Sequence, residues 1–126
     1  MILGLDVSTS ITGATVVDKD GAVVYTTAWD TRNKRHFPTL MAKALWVEGR
    51  LIDIGKKYKI EEVYIEQSLQ SFRSGFSSAK TLSTLSRYNG IISWICFQVF
   101  HREPDYLAAT SARKACGISI PRGMKA

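Results

Sequence analysis

The chain has 126 residues, 45% of them apolar, which is enough for one domain with a buried core. No run of about 18 apolar residues occurs, which argues against a membrane-spanning helix, and the N-terminus lacks the features of a signal peptide. The net charge of +6 is lopsided, because residues 1–66 hold nine basic and nine acidic residues whereas residues 67–126 hold eight and two. The second half therefore predicts a surface that meets phosphates, with a solvated surface of chance imbalance as the alternative.

Three strands are predicted at the start of the chain, at residues 1–7, 11–17 and 22–29. The segment Asp18-Lys19-Asp20-Gly21 between the last two is typical of a β-hairpin turn. Asp6 interrupts the apolar first strand, where a carboxylate without a partner is costly to desolvate. Asp6 either caps the following turn through the amides of Ser8 or Thr9, or belongs to a metal or phosphate site at the end of the strand.

Helices and further strands alternate in the rest of the chain. Polar residues 31–36 and the segment Phe37-Pro38-Thr39 precede an amphipathic helix, whose apolar residues recur at steps of three and four. These residues are Leu40, Ala44, Val47, Leu51, Ile54 and Tyr58. The pattern then predicts a strand at 61–66, a loop at 67–78, a long buried helix at 78–100, a strand at 104–109 and a helix at 110–115. This order predicts an α/β fold with a mixed five-stranded sheet, three antiparallel strands followed by αβ units, and helices on both faces.

Glu66 ends the fourth strand as Asp6 ends the first. If the two strands are neighbours, both carboxylates meet at one edge of the sheet, and such a pair suits a hard divalent cation such as Mg²⁺. A strand-end acid that faces water is the alternative for Glu66 alone. The hydroxyl groups of residues 8–10 either donate hydrogen bonds to a phosphate or serve only to form the turn.

Four stretches of the sequence resemble RuvC-type Holliday-junction resolvases, in particular their phage-encoded branch: ILGLDVSTSITGATVVD, VYIEQSLQSFRSG, LSTLSRYNGIISWICFQVF and EPDYLAATSARKACGI. Many ribonuclease-H-like proteins share the first stretch, whereas the order Asp6, Glu66 and SARK is more specific. The resemblance implies a ribonuclease-H-like fold, a homodimer, and Mg²⁺- or Mn²⁺-dependent nicking of paired strands at a four-way DNA junction. It matches Asp6 and Glu66 to the family's first two catalytic, metal-binding carboxylates.

The loop after the fourth strand has a further role in the resembled family, where an apolar or aromatic side chain wedges into the opened junction. Leu69 or Phe72 would fill that role here by displacing base stacking, while Arg73 pairs with a phosphate. Packing of Phe72 beneath its own loop is the alternative.

Basic residues extend this implied DNA-binding surface. Arg113 and Lys114 match the family's basic positions after the fifth strand, whereas Lys80 and Arg87 either follow the DNA backbone from one helix face or are only solvated. The full predicted DNA-binding set is Leu69, Phe72, Arg73, Lys80, Arg87, Arg113, Lys114, Arg122 and Lys125.

The resembled family uses four carboxylates, and the last two lie on a helix beyond the SARK segment. Because this chain stops at Ala126, we expect residues 1–126 to be a single ribonuclease-H-like nuclease domain that is C-terminally incomplete and carries half of the metal site. Three alternatives stay open: a non-catalytic module that binds branched DNA, a fragment of an actin-like or sugar-kinase-type nucleotide-binding protein, and a structural protein without nucleic acid.

The long predicted helix holds two features that sequence leaves ambiguous. Asn89-Gly90 lies in its interior, where glycine costs about 1 kcal/mol relative to alanine, so either another backbone approaches there, as in a dimer, or the helix breaks locally. Trp94 and Phe97 are candidates for the core or for a dimer interface.

The two cysteines, Cys96 and Cys116, lie in different predicted elements without CxxC spacing. They are expected to be buried free thiols rather than zinc ligands or a disulfide. With no signal peptide, this predicts a cytoplasmic protein, and the resemblance implies a bacterial or phage-infected cell.

Overall fold

The computed structural model describes residues 1–67 and 79–108, which form five strands and two helices. The strands are β1 (Ile2–Asp6), β2 (Ile11–Val17), β3 (Val23–Asp30), β4 (Glu62–Gln67) and β5 (Asp105–Ala108), and the helices are α1 (Leu40–Lys57) and α2 (Ala79–Phe100). Each predicted element within these ranges is confirmed to within about two residues. The predicted helix at 110–115 lies outside the described residues. Neither described helix combines the length and apolar character needed to cross a bilayer.

The five strands form one mixed sheet in the order β3-β2-β1-β4-β5. β1 and β2, and β2 and β3, pair antiparallel, whereas β1 and β4, and β4 and β5, pair parallel. The β2–β3 hairpin turns where the sequence predicts it: Asp18 Oδ1 accepts hydrogen bonds from the amides of Asp20 at 2.9 Å and Ala22 at 3.0 Å. Gly21 adopts a φ of 84°, which a glycine reaches without steric cost. The predicted α/β fold with a mixed five-stranded sheet is confirmed. Both described helices pack on the same face of the sheet, so the predicted helices on both faces are not seen within residues 1–67 and 79–108.

One face of the sheet carries the apolar core. Alternate residues of the two central strands, Leu3 and Leu5 on β1 and Val63 and Ile65 on β4, are almost completely buried. The buried residues of α1 and α2 belong to the same hydrophobic cluster, and the two helices contact each other. Because successive side chains of a strand point to opposite faces, the intervening residues of β1 and β4 face away from these two helices.

Helix α1 begins and ends as its sequence predicts. The Thr39 hydroxyl caps the N-terminus by accepting a hydrogen bond from the Ala42 amide at 3.1 Å. Four residues of the predicted apolar stripe are buried, namely Ala44, Val47, Leu51 and Ile54. The basic residues Lys56 and Lys57 occupy the last turn, where they complement the helix dipole.

Helix α2 resolves two of the sequence ambiguities. Trp94 and Phe97 are 58% and 42% exposed, so they are surface residues rather than core residues, with ring centroids 5.9 Å apart. The helix continues through Gly90 without a break, and apart from the backbone of α2 and the two chain neighbours of Gly90, no atom of the described residues lies within 4 Å of where a Cβ on Gly90 would stand. Cys96 is confirmed as a buried free thiol, and burial raises its pKa to about 12. Cys116 lies outside the described residues.

Candidate metal centre

The sheet register brings the two predicted carboxylates together. β1 and β4 are adjacent and parallel, and Asp6 is the direct partner of Glu66. Their neighbours Leu5 and Ile65 are likewise partners and are buried beneath the helices, so Asp6 and Glu66 both lie on the opposite face. Neighbouring strands are separated by about 4.8 Å. Two carboxylates at that spacing can share one divalent cation with oxygen ligands.

The electrostatics of Asp6 favour a cation. Asp6 remains accessible to solvent while Glu66 is half-buried, yet the surrounding sheet partly desolvates the Asp6 carboxylate and raises its pKa. Across the described parts of the chain, Asp6 forms neither an ion pair nor a hydrogen bond through its side chain. A carboxylate that is partly desolvated and lacks a positive neighbour is stabilised when a cation binds beside it.

The turn after β1 does not use Asp6 as its cap. The Ser8 amide donates instead to Thr12 Oγ1 at 3.4 Å, and the Ser10 amide donates to Ser8 Oγ at 3.1 Å. The Thr12 hydroxyl in turn donates to the Ser8 carbonyl at 3.0 Å. The turn-capping alternative for Asp6 is therefore not what the structure shows, and the Asp6 carboxylate is left available for another role.

Other acids near this edge of the sheet are not arranged as further ligands. Asp30 lies on the same face at the end of β3, but it pairs with Arg32 at 2.7 Å, and the hydrogen bonds from Arg32 lower its pKa to about 2. Asp105 on β5 is the partner of Tyr64, two residues before Glu66 and therefore about 6.6 Å further along the sheet. Within residues 1–67 and 79–108, no group of three or more histidine, cysteine, aspartate or glutamate residues could hold a metal. The described centre thus consists of Asp6 and Glu66.

Two side chains from outside β1 and β2 fasten the turn beside this centre. The buried Thr31 hydroxyl donates to the carbonyls of Ser10 at 3.2 Å and Thr9 at 3.3 Å, and the Thr31 amide donates to Ser10 at 2.8 Å. Lys43, from the first turns of α1, donates its ammonium protons to the same Thr9 carbonyl. The segment that follows Asp6 is therefore tied both to the end of β3 and to α1.

Three residues at this site were not predicted from the sequence to have a role there, namely Gly13, Thr31 and Lys43. Gly13 is the β2 partner of Asp6, and a Cβ at that position would lie 3.8 Å from the Asp6 Cβ. A side chain at position 13 would therefore be in van der Waals contact with Asp6, and the glycine leaves that volume unfilled. The alternation of apolar residues in β1 and β2 gives the register of this hairpin, and that register indicates Gly13 as the neighbour of Asp6. No local sequence pattern indicates the contacts of Thr31 and Lys43.

Two of the predicted DNA-binding residues lie on described elements. Lys80 and Arg87 are both exposed on α2, and Thr84 lies between them: its hydroxyl donates to the Lys80 carbonyl at 2.9 Å and is 3.4 Å from Arg87 Nη2. The two basic residues therefore share one face of the helix. The other predicted residues lie outside the described ranges, namely Leu69, Phe72, Arg73, Arg113, Lys114, Arg122 and Lys125.

Comparison with solved structures identifies the fold. RuvC of T. thermophilus in complex with a Holliday-junction substrate superposes with a TM-score of 0.69 and 10% identity, over 90% of this chain and 68% of that chain. A second Thermus thermophilus RuvC structure gives a TM-score of 0.59 and 12% identity, over 90% of this chain and 65% of that chain. No family model matches the sequence, and neither does any curated protein. The likeness shows that this chain shares the fold of RuvC, and the chain spans about two thirds of the length of RuvC.

Proposed function

We propose that this protein is a divalent-metal-dependent endonuclease that cuts branched DNA, with the four-way junction as its substrate. The observation that carries the proposal is the direct pairing of Asp6 with Glu66 on the face that α1 and α2 leave uncovered. The RuvC-type fold supports it, because one of the similar structures is a RuvC bound to a Holliday-junction substrate. The excess of basic residues in the second half of the chain supports a polyanionic substrate.

The donor set fits Mg²⁺ or Mn²⁺. Mg²⁺ is commonly held by one or two carboxylates, with water and substrate phosphate oxygens as its remaining ligands, and the pair of Asp6 and Glu66 provides that number. The raised pKa of Asp6 indicates a carboxylate whose charge the protein leaves uncompensated. When bound, the metal would supply activation of a water molecule and stabilisation of the charge that develops on the phosphate oxygens.

In this proposal, two carboxylates would bind the metal and a hydrogen-bond network keeps the turn beside them rigid. Asp6 and Glu66 would hold the metal at the ends of the central strand β1 and its neighbour β4, and the network of Thr12, Thr31 and Lys43 fixes the turn that follows Asp6. A rigid support of this kind matters because a displacement of about 1 Å at the reacting centre can cost about 100-fold in rate.

The test is a nicking assay on a synthetic four-way junction with labelled arms, in Mg²⁺, beside a linear duplex of the same sequence. The proposal expects paired nicks in the junction that disappear in Asp6→Asn and in Glu66→Gln. Asp105→Asn is the matched control, since Asp105 lies on the same face but two residues out of register with Glu66, and it should leave nicking unchanged. Nicks that survive both Asp6→Asn and Glu66→Gln would overturn the assignment of the site.

A non-catalytic module that binds branched DNA is the second candidate. It is favoured by one observation: at the candidate metal centre, the described residues provide only the two carboxylates of Asp6 and Glu66 and no third metal ligand. The two functions separate when binding and nicking are measured on the same junction. Selective binding without nicks in Mg²⁺ or Mn²⁺ favours the module, whereas nicks that depend on Asp6 favour the nuclease.

A homodimer is part of the same proposal, and α2 offers a surface for it. Gly90, Trp94 and Phe97 follow one another at steps of four and three along α2, and both aromatic side chains are exposed. Gly90 leaves room for a second helix to approach, and the exposed rings of Trp94 and Phe97 offer that helix apolar surface to bury. We expect Trp94→Glu to convert a dimer to a monomer in sedimentation equilibrium. Leu45→Glu is the control, because Leu45 is equally apolar and 70% exposed but lies on α1.

A further inference from the structure

A short basic loop lies at the same edge of the sheet as the candidate metal centre. It comprises residues 32–36, Arg-Asn-Lys-Arg-His, and links β3 to α1. Between Thr31 and Val47 the chain holds four basic residues and no acidic one. From the sequence, this stretch was predicted only to be a polar connection, without a binding partner.

The loop is held in place at both of its ends. At the start, the buried Thr31 binds the carbonyls of Ser10 and Thr9, in the turn that follows Asp6. At the end, the Phe37 ring packs edge-on against Trp46 with centroids 5.8 Å apart. A loop anchored in this way presents its side chains in a fixed place and loses little conformational entropy when a ligand binds.

The loop backbone is also ordered internally. Asn33 Oδ1 accepts hydrogen bonds from the amides of Arg35 at 2.9 Å and His36 at 3.4 Å, and the Asn33 carbonyl accepts from the Phe37 amide at 2.8 Å. Local bonds of this type are typical of an asparagine that stabilises a turn. The three residues at the tip, Lys34, Arg35 and His36, are all exposed.

The charges of the loop are divided between structure and solvent. Arg32 is neutralised by Asp30, which accepts from its Nε at 2.9 Å and from its Nη2 at 2.7 Å. Lys34 and Arg35 form no ion pair with any residue in the described ranges. The nearby N-terminus of α1 has no acidic residue in its first turn, so its dipole adds positive potential. Two unneutralised cations at a fixed turn therefore face solvent at the edge of the sheet that holds the candidate metal centre.

We infer that this loop binds the phosphate backbone of DNA next to the carboxylate pair, through Lys34 and Arg35. The inference rests on the proposed function. β3 is the second neighbour of β1, and the register aligns Asp6 with Ala28, two residues before Asp30, so Asp6 and Asp30 lie about 12 Å apart. The backbone of a duplex rises about 3.4 Å per nucleotide. A strand whose phosphate lies over Asp6 and Glu66 would thus pass the loop within a few nucleotides of that phosphate.

The test measures how binding of a synthetic four-way junction and of a linear duplex depends on monovalent salt, by fluorescence anisotropy in EDTA. Each phosphate contact contributes about 0.9 to the slope of log K against log salt, so Lys34→Ala/Arg35→Ala should reduce the slope by about 1.8. The ratio of wild-type to variant affinity should then fall about 12-fold between 50 and 200 mM salt. Lys19→Ala/Lys56→Ala is the matched control. It removes the same charge from exposed sites in the β2–β3 turn and the last turn of α1, at the far end of the sheet.

The outcomes separate this inference from the proposed function. A smaller slope for Lys34→Ala/Arg35→Ala with an unchanged control supports the loop, whether or not the junction is nicked. An unchanged slope for the loop variant, or an equal reduction of the slope in the control, overturns the inference about the loop. Neither result bears on the proposed nicking at Asp6 and Glu66. A wild-type chain that binds neither DNA overturns both. Circular dichroism of each variant verifies that the exposed substitutions leave the fold unchanged.

Discussion

Replacing Thr31 by valine removes one hydroxyl from the network beside the candidate metal centre and keeps the shape of the side chain. Thr31 is fully buried, and its hydroxyl shares one proton between the carbonyls of Ser10 at 3.2 Å and Thr9 at 3.3 Å. Both carbonyls keep a second donor, the Thr31 amide for Ser10 and the Lys43 ammonium for Thr9. The loss is therefore that of one net hydrogen bond, about 1 kcal/mol, and not the larger cost of an orphaned carbonyl.

Urea unfolding followed by tryptophan fluorescence measures this loss, which corresponds to a decrease in Tm of about 4 °C for a domain of this size. Thr26→Val is the control, because among the described residues the exposed hydroxyl of Thr26 bonds only to Thr15, at 3.2 Å, and the effect of the substitution should stay within about 0.5 kcal/mol. A Thr31→Val protein as stable as the wild type would refute a contribution of this hydroxyl. A loss above about 3 kcal/mol would instead show that the second donors do not satisfy the carbonyls.

Three further predictions concern single groups. Burial raises the folded-state pKa of Asp6 above 3.8, so ionisation of Asp6 destabilises the folded protein at pH values above that folded pKa and has no effect below pH 3.8. Asp6→Asn should therefore be more stable than the wild type at neutral pH in EDTA, and this difference in the free energy of unfolding should disappear in urea titrations at acid pH. Added Mg²⁺ should raise the Tm of the wild type only. The Tyr88 hydroxyl is buried without a hydrogen-bond partner in the described structure, so Tyr88→Phe should raise the free energy of unfolding by about 1–3 kcal/mol, and a loss of stability would reveal an unrecognised partner. Gly90 has open space for a Cβ within α2, so Gly90→Ala should raise monomer stability by up to about 1 kcal/mol while weakening the proposed dimer in sedimentation equilibrium; equal dimerisation would place the interface elsewhere.

The candidate site was predictable from sequence to the extent that it depends on strand ends. Asp6 and Glu66 each interrupt or end an apolar strand, and that local pattern marked both residues. Their pairing required β1 and β4 to be neighbours, which the register confirms. Thr31 and Lys43 were not predictable, because they act on Thr9 from 22 and 34 residues away. Neither a polar residue in a loop nor a lysine on a helix has a local sequence feature that predicts such a contact.

Local patterns in the sequence determined the elements of this protein. The steps of three and four along α1, the Asp-Gly turn between β2 and β3, and the alternation of β1 and β4 follow from backbone geometry, which acts over a few residues. Only the tertiary structure decided that Trp94 and Phe97 are exposed, that Arg32 is neutralised while Lys34 and Arg35 are not, and that the basic loop is fastened beside Asp6. Each of these depends on which distant groups share a surface, and the hydrogen bonds, burial and charge pairing that settle it arise only when the strands and helices pack together.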